Sequence, residues 1–454
     1  MNGAFFGDLL QTISDRGRKF LTRRTNAVTR SADFVVLCED LLSGRGEASG
    51  VALAREILNR YAALTIGPRI AFFEALAQQF GPDRTRMEKA IAAWQENPTD
   101  ATASEVHQAA EPRRQELFRR LNLAPGGTAA LVRMREHLLD AMAHRSDLSV
   151  VDADFVHLFS SWFNRGFLVL RNIDWSTPAN ILEKIIRHEA VHKIWSWDDL
   201  RRRIDPDDRR CFAFFHPALN DEPLIFVEVA LTAGIPSAIA PILAANREPL
   251  DANAVDTACF YSISNCQRGL AGVSFGNFLI KQVVEEISRD NPRLKTFVTL
   301  SPVPGFAVWL RRERHSGAPR ALTPEDIEAL SALDNENWWQ VEETREAVEE
   351  PLKRAAAWYL LHARNARGLP ADAVARFHLG NGARLERINY LADTSENGLQ
   401  QSHGIMVNYL YDLDDIEKNH EAYAENRMVV AASAVKKLAR PGPAGELVTL
   451  PSKT

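Results

Sequence analysis

Apolar residues in the first third of the chain recur at helical spacing. Phe34, Val35, Leu37, Cys38, Leu41 and Leu42 share such a period. The same spacing predicts helices over 52–64, 69–80, 86–95, 105–121 and 129–143, punctuated by Gly67-Pro68, Gly81-Pro82 and Pro125-Gly126-Gly127. With so little strand signal, residues 1–149 read as an all-α bundle. No constellation of reactive side chains stands out in it, so a scaffold or oligomerisation role is expected. The pattern changes near Leu148. Residues 167–170, 257–264 and 294–300 read as strands, and Pro223–Leu231 is a nearly continuous apolar run, as in a strand covered on both faces. A helix is expected over 275–287, with Ile280, Val283, Val284 and Ile287 on one face. Residues 150–454 are therefore expected to form a mixed sheet with helices, and the whole chain an α+β fold.

Size and charge narrow the picture further. A chain of 454 residues is too long for one ordinary core, which agrees with two domains. The net charge of −5 gives no basic surface for nucleic acid, and Arg201, Arg202 and Arg203 read as a solvated helix face. No apolar run of about 18 residues suggests a membrane span. The four cysteines, Cys38, Cys211, Cys259 and Cys266, show no CxxC spacing and point to a reducing compartment. Arg16, Arg18, Arg23 and Arg24 lie on a helix-like pattern near the start, but Asp8 and Asp15 argue against a transit peptide. Ser452-Lys453-Thr454 lacks the final leucine of a peroxisomal address. The expected compartment is the cytoplasm.

Four motifs could carry chemistry. His188-Glu189-Ala190-Val191-His192 matches HExxH, which on a helix sets two imidazoles one turn apart to hold zinc. The local sequence looks helical, so a zinc peptidase is one reading. Its third ligand is missing, however: a metzincin extension would need glycine and histidine at Trp195 and Asp198, and Asn220-Asp221-Glu222 runs into Pro223. The motif is read as a coincidence on a polar helix face. A second segment, Gln267 to Asn277, is glycine-rich between a strand and a helix. Glycines admit close backbone approach and free N–H groups at a helix start attract phosphate. A structural turn explains it as well. Third, Ser301-Pro302-Val303-Pro304-Gly305-Phe306 follows a strand and holds a serine stiffly at its end. Fourth, His378 sits beside Asn381-Gly382, where a histidine could move a proton near neutral pH.

Taken together, the chain resembles the malonyl-CoA decarboxylase family. The likeness lies in SSWFNRGFLVLR (160–171), FYSISNCQRGLAGVSFGNFLIK (260–281), LSPVPGF (300–306), FHLGNGARLERINYLAD (377–393) and GIMVNYLY (404–411). The resemblance implies an N-terminal helical domain and a C-terminal domain with the acetyltransferase-like (GNAT) fold, turning malonyl-CoA into acetyl-CoA and carbon dioxide with no metal or organic cofactor. It implies Ser301 and His378 as catalytic residues and Tyr411 as support for the histidine. It implies a coenzyme-A loop at Ala271, Gly272, Val273, Ser274, Phe275, Gly276 and Asn277, with Ser301 and His378 also meeting the substrate, and a homotetramer. Some relatives carry Gln and Glu at the positions of Ala271 and Ser274, and some lack histidine at position 188. The rival readings are an acyltransferase of the same fold, a zinc peptidase through residues 188–192, and a catalytically silent malonyl-CoA sensor.

Overall fold

The computed structural model describes residues 31–43, 47–251, 253–273 and 279–439. The chain divides into two units. One holds the described residues up to Val169, together with Phe215–Glu222 and the described part of the segment that starts at Gln267. The other holds Leu170–Phe214, Pro223–Cys266 and the described residues beyond position 278.

The first unit is helical, as the spacing predicts. Its α-helices run Ser31–Leu42, Glu47–Ala62, Ile66–Gln79, Arg84–Glu96, Asp100–Ala110, Arg113–Asn122, Gly127–Met142 and Ser149–Trp162. The single helix expected over 105–121 is two, because Pro112 lacks an N–H and biases Glu111 to an extended backbone, which ends one helix and starts the next. Phe73, Leu76, Phe118, Leu131, Leu138, Phe155 and Phe159 are fully buried, and the Phe118 and Phe155 rings stack at 4.1 Å. Such aromatic and aliphatic burial contributes roughly 1.5–3 kcal/mol per side chain.

The segment after Cys266 is tied into this unit. The buried Arg135 guanidinium donates to the Gly269 carbonyl (2.8 Å) while pairing with Asp152 (2.7 Å). Gly269 N–H donates to Glu136 (3.2 Å), and Arg268 pairs with Asp140 (2.8 Å). A methyl group on Gly269 would sit 2.1 Å from the Val132 carbonyl oxygen, so only glycine allows the approach. Along the chain this segment lies within the stretch 150–454 expected to form the sheet domain, but it packs with the helical unit.

The second unit is built on a mixed sheet. Its strands are β1 (Val169–Asn172), β2 (Arg209–Phe215), β3 (Pro223–Thr232), β4 (Thr257–Asn265), β5 (Thr296–Thr299), β6 (Ser301–Pro302), β7 (Arg384–Asn389) and β8 (Met406–Leu410). The order is β1-β2-β3-β4-β5-β8, with β6 and β7 also pairing with β8. β5 and β6 are one strand with a break at Leu300, since Val298 faces Leu410 and Ser301 faces Val407 in the same antiparallel register. β3 and β4 pair antiparallel, with a bulge at Glu228/Val229. β4 and β5 are parallel, so a crossover must join them, and the helix Leu279–Asp290 provides it with Ile280, Val283, Val284 and Ile287 buried. This is the α+β arrangement, a mixed sheet with helices, that the sequence pattern predicts.

The parallel pair parts at its carboxyl end. Pairing of β4 with β5 stops at Phe260 and Thr299, and a last bond runs from Leu300 N–H to the Phe260 carbonyl (3.0 Å). Beyond it β4 stays with β3 as far as Asn265, while β6 stays with β8. Ser301 is the first residue past the fork.

Candidate active site

Ser301 stands on β6 with Thr299 two residues earlier, on the same face of the extended chain. The Ser301 hydroxyl donates to Thr299 Oγ1 (2.8 Å) and lies 3.1 Å from His378 Nε2. His378 Nδ1 in turn lies 2.7 Å from the Tyr411 hydroxyl. All four side chains are buried, none more than 5% exposed. The structure thus gathers three of the residues singled out in the sequence into one chain of hydrogen bonds.

Local structure fixes each member. His378 occupies the last turn of the helix Ala373–Gly380, whose N-cap Asp372 accepts from Ala375 N–H (2.9 Å). The helix stops at Asn381 because Gly382 takes φ = +80°. A methyl there would lie 2.1 Å from the Ile416 carbonyl oxygen, so the turn that seats His378 requires glycine. The Tyr409 ring stacks on the imidazole at 4.6 Å. Tyr411 follows β8, and its N–H donates to the Phe297 carbonyl (2.8 Å).

Thr299 and its neighbours went unnoticed in the sequence. Thr299 Oγ1 also accepts from Tyr409 N–H (3.1 Å), and its carbonyl accepts from Asn408 Nδ2 (2.7 Å). Asn408 Oδ1 accepts from Asn389 Nδ2 (2.8 Å) and from Arg387 Nε (3.0 Å). This network ties β5, β8 and β7 together behind the serine. The one available signal was period-two spacing: Thr299 to Ser301, and Tyr409 to Tyr411.

Burial sets the electrostatics. It pushes the His378 pKa down to about 3, so the resting imidazole is neutral with one N–H. Burial also holds the Tyr411 hydroxyl far above its usual value, so it stays a phenol and a donor.

The loop residues divide differently. Ala271, Gly272 and Val273 belong to the helical unit, and Gly272 takes φ = +77°. Ser274, Phe275, Gly276 and Asn277 lie outside the described residues.

Residues 188–192 do not form the helical motif expected of them. The helix Ala179–His188 ends inside it, with Glu189 at φ −64°, ψ 110°. The reason is a tertiary pull on Glu189. Its carboxylate accepts from the Ser262 hydroxyl (2.8 Å) and from the Val191 and His192 N–H groups (2.7 Å each). The two imidazoles are therefore not stacked one helical turn apart. Among the described residues no group of three or more His, Cys, Asp or Glu is placed to hold a metal.

A mixed sheet that forks beside a buried Ser–His–Tyr chain defines an α+β protein with a candidate catalytic site. The chain belongs, within that class, to the malonyl-CoA decarboxylase family: residues 166–448 match the malonyl-CoA decarboxylase C-terminal domain and residues 80–163 its N-terminal domain. It is 37% identical to the mitochondrial malonyl-CoA decarboxylase of Anser anser anser over 84% of this chain and 82% of that one. Two crystal structures of malonyl-CoA decarboxylases are similar over 90% of this chain and 100% of theirs. That from Rhodopseudomonas palustris is 59% identical with a TM-score of 0.88. That from Agrobacterium vitis is 56% identical with a TM-score of 0.86.

Proposed function

We propose that this chain converts malonyl-CoA to acetyl-CoA and carbon dioxide, with Ser301 and His378 as the catalytic pair and Tyr411 supporting the histidine. The observation that carries the reading is the buried hydrogen-bond chain from Ser301 through His378 to Tyr411, at the fork of β4 and β5.

The chemistry asks little more of the protein. When the carboxylate leaves as carbon dioxide, its bonding electrons move onto the thioester as an enolate. The thioester carbonyl is the electron sink, so no cofactor has to supply one. The protein must orient the carboxylate, stabilise the developing charge and protonate the α-carbon. The Ser301 hydroxyl suits the first two tasks by contact with the carboxylate or the thioester oxygen. His378 suits the third through Nε2. A dry site strengthens each of these interactions.

The coenzyme-A loop at Ala271 to Asn277 is the reading that family resemblance supports for the phosphates. Self-association as a homotetramer through the helical unit is likewise our reading, supported there by the exposed apolar side chains Ile66, Leu123 and Val36. Light scattering tests it. All four cysteines are buried thiols, which suits a reducing compartment, and we place the chain in the cytoplasm. Among the described residues no helix is long and apolar enough to cross a membrane.

The test is a coupled assay of acetyl-CoA formed from malonyl-CoA with no acyl acceptor present. Wild type should turn over, and Ser301→Ala and His378→Asn should each lose about a hundredfold or more in kcat. Near-normal turnover by both folded variants would sink the assignment.

A further inference from the structure

We infer that Thr299 is the positioning residue that sets the direction of this proton chain, so that His378 offers a hydrogen on Nε2, rather than a lone pair, to Ser301. The inference rests on the Ser301–His378 reading above and deepens it.

The argument is a count of hydrogens. A serine hydroxyl has one, and the geometry gives it to Thr299 Oγ1. At the 3.1 Å contact with His378 Nε2, Ser301 must therefore accept, and Nε2 must carry the hydrogen. A buried neutral imidazole has only one, so Nδ1 is bare and accepts from the Tyr411 hydroxyl at 2.7 Å.

Thr299 is held to this duty from two sides. Its Oγ1 takes the Tyr409 N–H as well, and its carbonyl takes the Asn408 amide, while the side chain is fully buried. Thr299 therefore stays in place, and the Ser301 hydroxyl leaves it only for a charged acceptor such as the malonyl carboxylate, while the Ser301 oxygen still accepts from Nε2.

The consequence for the reaction is explicit. The bond from the α-carbon to the carboxylate breaks, and its electron pair becomes the enolate. The α-carbon takes the Nε2 hydrogen as the enolate collapses to the thioester. Tyr411 passes its own hydrogen to Nδ1, so the imidazole remains neutral. One proton from water then reloads Nε2 and Nδ1 returns its hydrogen to Tyr411, which restores the resting tautomer and matches the single proton the overall reaction consumes. A serine aimed the other way would fill Nε2 with its own hydrogen and leave the α-carbon without a donor.

The experiment uses Thr299→Val, which keeps shape and removes the acceptor, and Thr299→Ser, which restores it. Protein labelled with ¹⁵N-histidine reports which ring nitrogen of His378 carries the hydrogen, with His378→Asn identifying the resonances. Wild type and Thr299→Ser should show it on Nε2. Thr299→Val should move it to Nδ1 and lower kcat about a hundredfold, with KM within roughly threefold, as expected for loss of a general acid. A wild-type hydrogen on Nδ1, or a Thr299→Val kcat within about threefold of wild type, overturns the inference. If Thr299→Val does not fold, the wild-type and Thr299→Ser spectra decide alone. If Ser301→Ala and His378→Asn also keep turnover, the site reading itself has failed. If those two are inactive while Thr299→Val is active, only the role of Thr299 has.

Discussion

Replacing Tyr411 by phenylalanine removes a single oxygen from the proton chain and little else. The ring stays, with its contacts to Phe260 (6.5 Å between centroids) and His378 (6.0 Å). What is lost is the 2.7 Å bond to His378 Nδ1, in a place where no solvent can replace it. Leaving one buried acceptor unpaired costs about 1–3 kcal/mol of stability, so the thermal midpoint should fall by several degrees. The effect on rate is larger in its diagnostic value. As the α-carbon takes the Nε2 hydrogen, negative charge builds on the imidazole, and the Tyr411 hydroxyl relieves it. A hydrogen bond to a charged group contributes about 1.5–3 kcal/mol, which converts to a kcat loss of roughly ten- to a hundredfold. Binding of malonyl-CoA does not involve this oxygen, so KM should hold. Stopped-time assays of acetyl-CoA formation, read beside a melting curve, separate the two effects. A folded Tyr411→Phe protein with kcat within about twofold of wild type would refute the reasoning, since it would reduce Tyr411 to packing alone.

Stability should peak near pH 6.5. Burial holds His378 down to about 3 and His192 to about 4, and burial with Arg314 and Arg311 nearby holds His403 to about 4. Below about pH 6.5 the unfolded chain takes up protons these groups refuse in the fold, so stability falls as pH drops, at up to about 1.4 kcal/mol per pH unit per group. Glu228 works the other way: burial, then the charge of Glu189, raises it to about 8, so stability also falls as pH climbs from 6.5 through 8. A melting temperature that rises steadily from pH 6 to 8 would contradict this. Gly269→Ala should drive a methyl into the Val132 carbonyl and weaken the ties to Arg135 and Glu136. If the segment grips coenzyme A, KM for malonyl-CoA should rise about tenfold, as one or two lost hydrogen bonds would give, with kcat kept; an unchanged KM in a folded variant would remove the loop from the binding site. His188→Ala, and wild type treated with a chelator, should both keep full turnover, whereas loss of activity in either would revive the reading of residues 188–192 as a metal site.

Much of the architecture was legible because it is written locally. Helical spacing marked most of the first unit, but Pro112 splits one expected helix in two and the helix Ser149–Trp162 went unread. The apolar run at 223–231 became β3 (Pro223–Thr232), buried along nearly its whole length, and 257–264 became β4 (Thr257–Asn265). β2 (Arg209–Phe215) went unread, although it is a five-residue apolar run behind two arginines, because so short a run has no period to distinguish strand from helix. Ser301 and His378 each looked like an ordinary turn residue with a bland rival, and only their family resemblance joined them.

The tertiary structure decided what distance along the chain conceals. It brought Ser301 within reach of a histidine 77 positions away, since β6 and the helix Ala373–Gly380 meet at β8 and not in the sequence. It broke the helix at residues 188–192, because hydroxyls on β4 outcompete one more helical turn for the Glu189 carboxylate. It moved the glycine-rich segment into the helical unit through Arg135. It also gave the proton chain a direction through Thr299, a residue whose type alone says nothing. Sequence by itself determined which residues could do the chemistry, because reactivity belongs to the side chain. Burial, pairing and hydrogen-bond direction depend on neighbours supplied by the fold, and these decided which residues act together.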